Sequence, residues 1–148
     1  MTDRRFNLRP EVGLELAQEL VRAACASAVE QGICVSAVVA DRAGDVVASA
    51  RMDDAPLGSM RLALDKAYTA AVWQMSSVDL HESTQPGGAD WGLTSTADGR
   101  IVVYGGGVPI IVDGRLAGAV GVSGGSGEQD EACAASALAA LGLSAPAT

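Results

Sequence analysis

Apolar residues fall into two alternating rhythms along the chain. Val12, Leu16, Leu20 and Ala23 form one stripe at helical spacing. Pro10 suits the first turn of that helix, Glu11, Glu15 and Glu19 favour its N-terminal half, and Gly32 ends it. Ile33 to Ala40 is then a nearly continuous apolar run and Val46 to Arg51 a second. Asp41-Arg42-Ala43-Gly44 joins them, so the pair reads as a β-hairpin. After a loop over Met52 to Pro56, the helical period returns through Leu57, Met60, Leu64, Ala67, Tyr68 and Ala71 to about Gln74. From Ser76 to Trp91 the chain turns polar and ends in Pro86-Gly87-Gly88. Beyond one helical turn around Val78 to Glu82 it reads as a long loop, of the kind that often carries function.

Three further strands are expected: Arg100 to Tyr104, Val108 to Val112 and Leu116 to Ser123, with Asp113-Gly114 as a hairpin turn between the last two. Ser126 with Gln129 three positions later is a capping box. Asp130 and Glu131 occupy the first turn behind it, and Ala134, Leu138 and Leu141 supply the apolar side of a last helix. The predicted order is α-β-β-α-β-β-β-α, an α+β structure with a mostly antiparallel five-stranded sheet.

At 148 residues the chain has the length of one domain, residues 1–148. Its formal net charge of −8 disfavours nucleic acid as a partner, because such a surface repels phosphates. Charged residues make up only 19%, which predicts apolar surface buried against other copies of the chain, a homo-oligomer. Three cysteines without a C-x-x-C pair fit free thiols in a reducing compartment, so the expected location is the cytoplasm. The sequence has no apolar segment of signal-peptide type or of membrane-spanning length, and no membrane partner is expected.

The glycines concentrate in two clusters. Gly121-Val122-Ser123-Gly124-Gly125 has the letters of a nucleophile elbow, but the single histidine, His81, lies upstream, so the aspartate-then-histidine order of that triad is missing. The same segment, Ser123 to Gln129, places backbone N–H groups at a helix start, where a ligand carboxylate or phosphate could be held. Gly105-Gly106-Gly107 lies between two strands. Close approach by a ligand or by another backbone explains it, and so does a bulge that bends the sheet. Neither cluster is a Walker loop or a dinucleotide fingerprint.

Lys66 is the single lysine, flanked by Asp65 and Tyr68. Two readings stand open: a solvated lysine paired with Asp65 or a neighbouring turn, or a cation or base in a pocket, its pKa lowered by burial. Arg51 and Asp53 follow a strand end, where they could line the same pocket or cap the second helix. His81 in the long loop is either solvated, a proton-transfer group or an axial haem ligand. A zinc site lacks the partner residues, and no metal site is assigned.

Taken together, Val38-Val39-Ala40-Asp41 with Gly44, Arg51-Met52-Asp53, Lys66-Ala67-Tyr68-Thr69-Ala70, Gly105-Gly106-Gly107-Val108-Pro109-Ile110, Asp113-Gly114 and Gly121 to Gly125 followed by Glu128-Gln129-Asp130-Glu131 resemble the GlcG/HbpS family. This is the haem-degrading domain family, which includes the C-terminal domain of PduO-type corrinoid proteins. Gly92 to Thr96 and Asp98 to Val102 look more like the PduO-type branch than the simplest family pattern. The resemblance covers nearly the whole chain. It implies a profilin-like fold, oligomers built from dimers and often octamers, and in some members binding of haem or a corrinoid.

Two functions follow as expectations. The first is a small-molecule-binding protein for haem, a corrinoid or a similar planar ligand, held where Lys66, Gly105 to Gly107 and the Ser123 to Gln129 helix start converge. Arg51, Asp53, Tyr68, Gly124 and Gly125 complete that candidate set. The second is a cofactor-independent isomerase, tautomerase or lyase for a small organic acid, with Lys66, His81 or Asp130 moving the proton.

Overall fold

The computed structural model describes residues 5–145. In chain order the elements are α1 (Leu14–Glu30), β1 (Ser36–Ala40), β2 (Val46–Arg51), α2 (Ser59–Trp73), β3 (Gly107–Val112), β4 (Arg115–Ser123) and α3 (Gly127–Ala140), with single 3-10 turns at Ser77–Leu80, Leu93–Ser95 and Ala97–Gly99. The strands form one antiparallel sheet in the order β2-β1-β4-β3. The α+β class is as expected, with four strands rather than five among the described residues.

The sheet is the middle layer. Val35, just before β1, and Ala37 and Val39 on it alternate with Val38 and Ala40. The first set packs into the core beneath α1 and α3, the second against Ala63 and Ala67 of α2. Strands covered on both faces have little polar side, which explains the nearly continuous apolar run read from Ile33 to Ala40. Strand β2, an edge, is only partly buried. Both hairpins turn as their sequences require. Asp41 Oδ1 accepts from the Ala43 and Asp45 amides, and Asp113-Gly114 takes positive φ at both positions, a turn whose twist matches the flanking strands.

Helix α2 lies close to the sheet because both contacting surfaces are small. It presents Ala63, Ala67, Ala70 and Ala71, and β4 presents Ala119 and Gly121. A Cβ on Gly121 would run into the Ala63 carbonyl oxygen, so helix backbone rests directly on strand backbone.

Two expectations need correction. The first helix begins at Leu14, not at Pro10, because the Val12 amide donates to the Ala117 carbonyl at 2.8 Å and its side chain is buried. The segment is thereby held along β4 before the helix can start. Arg100 to Tyr104 is not a strand. Its backbone groups bond to side chains instead: Thr69 Oγ1 contacts the Arg100 carbonyl at 3.3 Å and accepts from the Val102 amide at 3.0 Å, and Ser77 Oγ donates to the Tyr104 carbonyl at 2.6 Å. With those groups satisfied locally, the apolar residues Ile101 and Val102 are buried without a ladder partner. The helical turn expected around Val78 to Glu82 forms as Ser77–Leu80.

Candidate functional site

Helix α2 carries Lys66 under the sheet end where β4 stops and α3 starts. Lys66 is 1% exposed, which excludes the solvated reading. Its Nζ donates to Asp130 Oδ2 at 2.8 Å and to the Val122 carbonyl at 3.0 Å, and lies 5.2 Å from the centre of the Tyr104 ring. Asp65 is not its partner; that carboxylate accepts from Arg61 and Arg100 instead. Burial pulls the Lys66 pKa below its ordinary range, and the bond and charge of Asp130, with Glu131 behind them, oppose the pull.

Asp130 is equally enclosed, and its second oxygen accepts from the Gly125 amide at 2.8 Å. The Lys66–Asp130 pair therefore ties α2, the end of β4 and the first turn of α3 together. Every polar atom of the pair has a partner, the condition under which a buried ion pair is tolerated.

The Gly105-Gly106-Gly107 cluster wraps over this pair. A Cβ at 106 would strike the Val122 carbonyl and lie 2.8 Å from Lys66 Nζ, at a φ of +126° that disfavours any other residue. Gly105 packs on the Gly127 carbonyl and Gly107 on the Lys66 carbonyl. Close approach of another backbone is therefore present at this cluster, and Gly105 also borders the cleft outside it.

Outside the glycines is a cleft of about 460 Å³. The 3-10 turn contributes Val78 and, just past its end, His81; the segment before β3 contributes Tyr104 and Gly105; the start of α3 contributes Ser126, Gly127, Glu128 and Glu131. Glu131 Oε2 accepts from the Gly106 amide at 2.8 Å, and Ser76 bonds the same carboxylate. Burial raises the Glu131 pKa above the ordinary glutamate range, against the lowering effect of those bonds, and the Asp79 charge adds to the rise. His81 is held by Gln85, whose amide donates to the His81 carbonyl at 2.9 Å and stands 3.5 Å from Nδ1.

The sequence candidates thus divide. His81 and Gly105 line the cleft; Lys66, Asp130, Gly106 and Gly107 form the layer beneath it. Ser123 is buried at the end of β4 opposite Ser36, and a Cβ on Gly124 would meet the Cys34 carbonyl, so both positions are structural contacts. Three of the N–H groups at the helix start are bonded internally: Gly125 to Asp130, Ser126 to Gln129 Oε1, and Gln129 to Ser126 Oγ, the reciprocal capping box. Arg51 pairs with Ser36, two strands away from Ser123, and is exposed like Asp53; neither lines the cleft. Tyr68 packs against Gly44 and under the Arg100 guanidinium, 3.8 Å from its ring centre.

Sequence reasoning missed Tyr104 and the part of Glu131. The available signal was an aromatic residue abutting the glycine triplet and a second carboxylate in the capped turn. Among the described residues no group of three or more His, Cys, Asp or Glu side chains gathers as for a metal, and no helix is long and apolar enough to cross a membrane.

Known proteins share this fold. An uncharacterized 15.0 kDa protein of Citrobacter freundii, from the dhaT-dhaS intergenic region, is 40% identical over 86% of this chain and 89% of its own length. The corrinoid adenosyltransferase PduO of Salmonella typhimurium is 39% identical over 84% of this chain, which spans only 37% of that longer protein. The crystal structure of a PduOC:haem complex superposes with a TM-score of 0.86 at 37% identity, over 90% of this chain and 96% of the other. With residues 12–139 matched by the family described as haem degrading protein HbpS-like, the chain belongs to that family.

Proposed function

We propose that the protein binds a planar tetrapyrrole-type ligand, haem or a corrinoid, in the cleft between the 3-10 turn and the start of α3. The observation that carries this reading is the position of His81, the chain's single histidine, on the wall of a cleft that also presents an aromatic ring, Tyr104. With Gln85 beside Nδ1, Nε2 is the ring nitrogen available as a donor to a metal at the centre of such a ligand. Val78 and the Tyr104 ring, both substantially exposed, supply apolar wall. The bound group would contribute its own metal chemistry; the chain's part is to hold it and limit its exposure to water. The similarity to a haem-bound PduOC structure and to a corrinoid adenosyltransferase supports this choice of ligand class. A homo-oligomer is part of the proposal, since a second copy would cover apolar side chains such as Trp73 and Leu57, which are exposed in the single chain.

The test is an absorbance titration with hemin and, in parallel, with a cobalamin. A saturable, stoichiometric spectral shift lost in His81→Ala is expected; no saturable shift with either ligand overturns the reading. The organic-acid enzyme is less well supported, because Lys66 and Asp130 are sealed beneath the glycines. Glu131 is the carboxylate placed to move a proton in the cleft.

A further inference from the structure

The cleft has a one-sided charge. Its ionisable wall consists of Glu128, Glu131, His81 and the phenol of Tyr104, and no lysine or arginine lines it. The cation beneath it, Lys66, bonds to Asp130 and the Val122 carbonyl and offsets only part of the Glu131 charge. Asp79, on the 3-10 turn, adds to the negative field felt by Glu131. The Gly106 amide and Ser76 hold the Glu131 carboxylate in place. A fixed, partly buried negative charge discriminates between ligands more strongly than a mobile surface charge does.

We propose that the cleft selects by charge, accepting a macrocycle whose edge against α3 carries neutral amides or a cation and disfavouring one that presents carboxylates there. This inference rests on the binding reading above and refines it. Haem carries two propionates, whereas the rim of a corrinoid carries amides, whose N–H groups can donate to Glu128 and Glu131. The acidic wall thus favours the amide-rimmed ligand at the same site.

Three probes separate the possibilities: ferric protoporphyrin IX, its dimethyl ester in matched detergent, and a cobinamide. Each is titrated into wild type, Glu128→Gln, Glu131→Gln and, as a control for net charge alone, Glu15→Gln on the exposed side of α1. The amide introduced by Glu131→Gln retains an oxygen for the Gly106 N–H, and Glu128 is exposed, so Glu128→Gln carries the test even if residue 131 proves sensitive. The diacid should bind about threefold more tightly in each cleft variant, the size expected for removing one like charge several ångströms away in a water-like dielectric. The ester should be unaffected, the cobinamide should bind no more tightly, and Glu15→Gln should change nothing. Added salt should tighten diacid binding to wild type by screening the repulsion. Diacid binding that is unchanged or weaker in both cleft variants overturns the charge selection while leaving the binding site intact. Failure of all three probes to bind saturably overturns the binding reading, and this inference with it.

Discussion

Asp130 and Glu131 are consecutive on α3, yet they serve opposite environments. Asp130 turns inward, where Lys66 and the Gly125 amide exhaust its oxygens. Glu131 turns to the cleft and keeps contact with the interior only through Gly106 and Ser76. A helix rotates by about 100° per residue, so adjacent carboxylates in one turn can face a core and a cleft at once. The comparison shows that the glycine layer between cleft and ion pair serves both: Gly105 lines the cleft, while Gly106 covers Lys66 and donates to Glu131.

The comparison breaks most sharply at Asp130. Asp130→Ala leaves a buried ammonium without its partner and should destabilise the fold by about 3 to 5 kcal/mol in urea denaturation. Lys66→Met combined with Asp130→Leu should recover most of that loss, because no lone charge remains. A loss below about 1 kcal/mol for Asp130→Ala would mean that water reaches the pair. Gly106→Ala is next: a Cβ at positive φ against the Val122 carbonyl and Lys66 should cost about 2 kcal/mol. It should also weaken ligand binding, since the floor of the cleft shifts with it.

Glu131 tests the open side through pH. Its pKa is raised in the folded state, so the folded chain holds this proton to higher pH than the unfolded chain does. The corresponding stabilisation is complete below the ordinary glutamate range and is lost as pH rises through the raised value. Wild type should therefore lose stability relative to Glu131→Gln as pH climbs from about 4 to neutrality, by no more than about 1 kcal/mol for a half-buried group. A flat difference across that range would place Glu131 in full solvent. The smallest effect is expected from His81→Ala without ligand: His81 is exposed, and stability should stay within about 0.5 kcal/mol.

Much of this was legible from local pattern. The second helix, both hairpin turns, the Val46–Arg51 strand and the Ser126–Gln129 capping box each depend on residues within a few positions of one another, and each formed where the pattern put it. What failed depends on distant partners. The Arg100 to Tyr104 segment has strand-like composition, but Thr69 and Ser77 occupy its backbone groups before a neighbouring strand could. The Val12 backbone is claimed by Ala117, more than a hundred positions away. At the site, Lys66 stood out by being alone, but the choice between Asp65, one residue away, and Asp130 is made by the packing of α2 on β4. Which of two adjacent carboxylates faces outward is likewise settled by the rotation of α3 against the sheet, and the pattern of apolar residues on so alanine-rich a helix marks that rotation only weakly.

The bare backbone at Gly121 works as a spacer for all of this. Helix α2 rests on β4 through the Ala63 carbonyl, and Lys66 projects from the following turn of the same helix. Any side chain at 121 must lift that turn, and a lift of one methyl group would stretch a 2.8 Å ion pair past bonding distance. The Lys66–Asp130 bond is therefore a gauge of the gap between helix and sheet. A change at a residue that touches neither partner would register there first, and from there in the floor of the cleft.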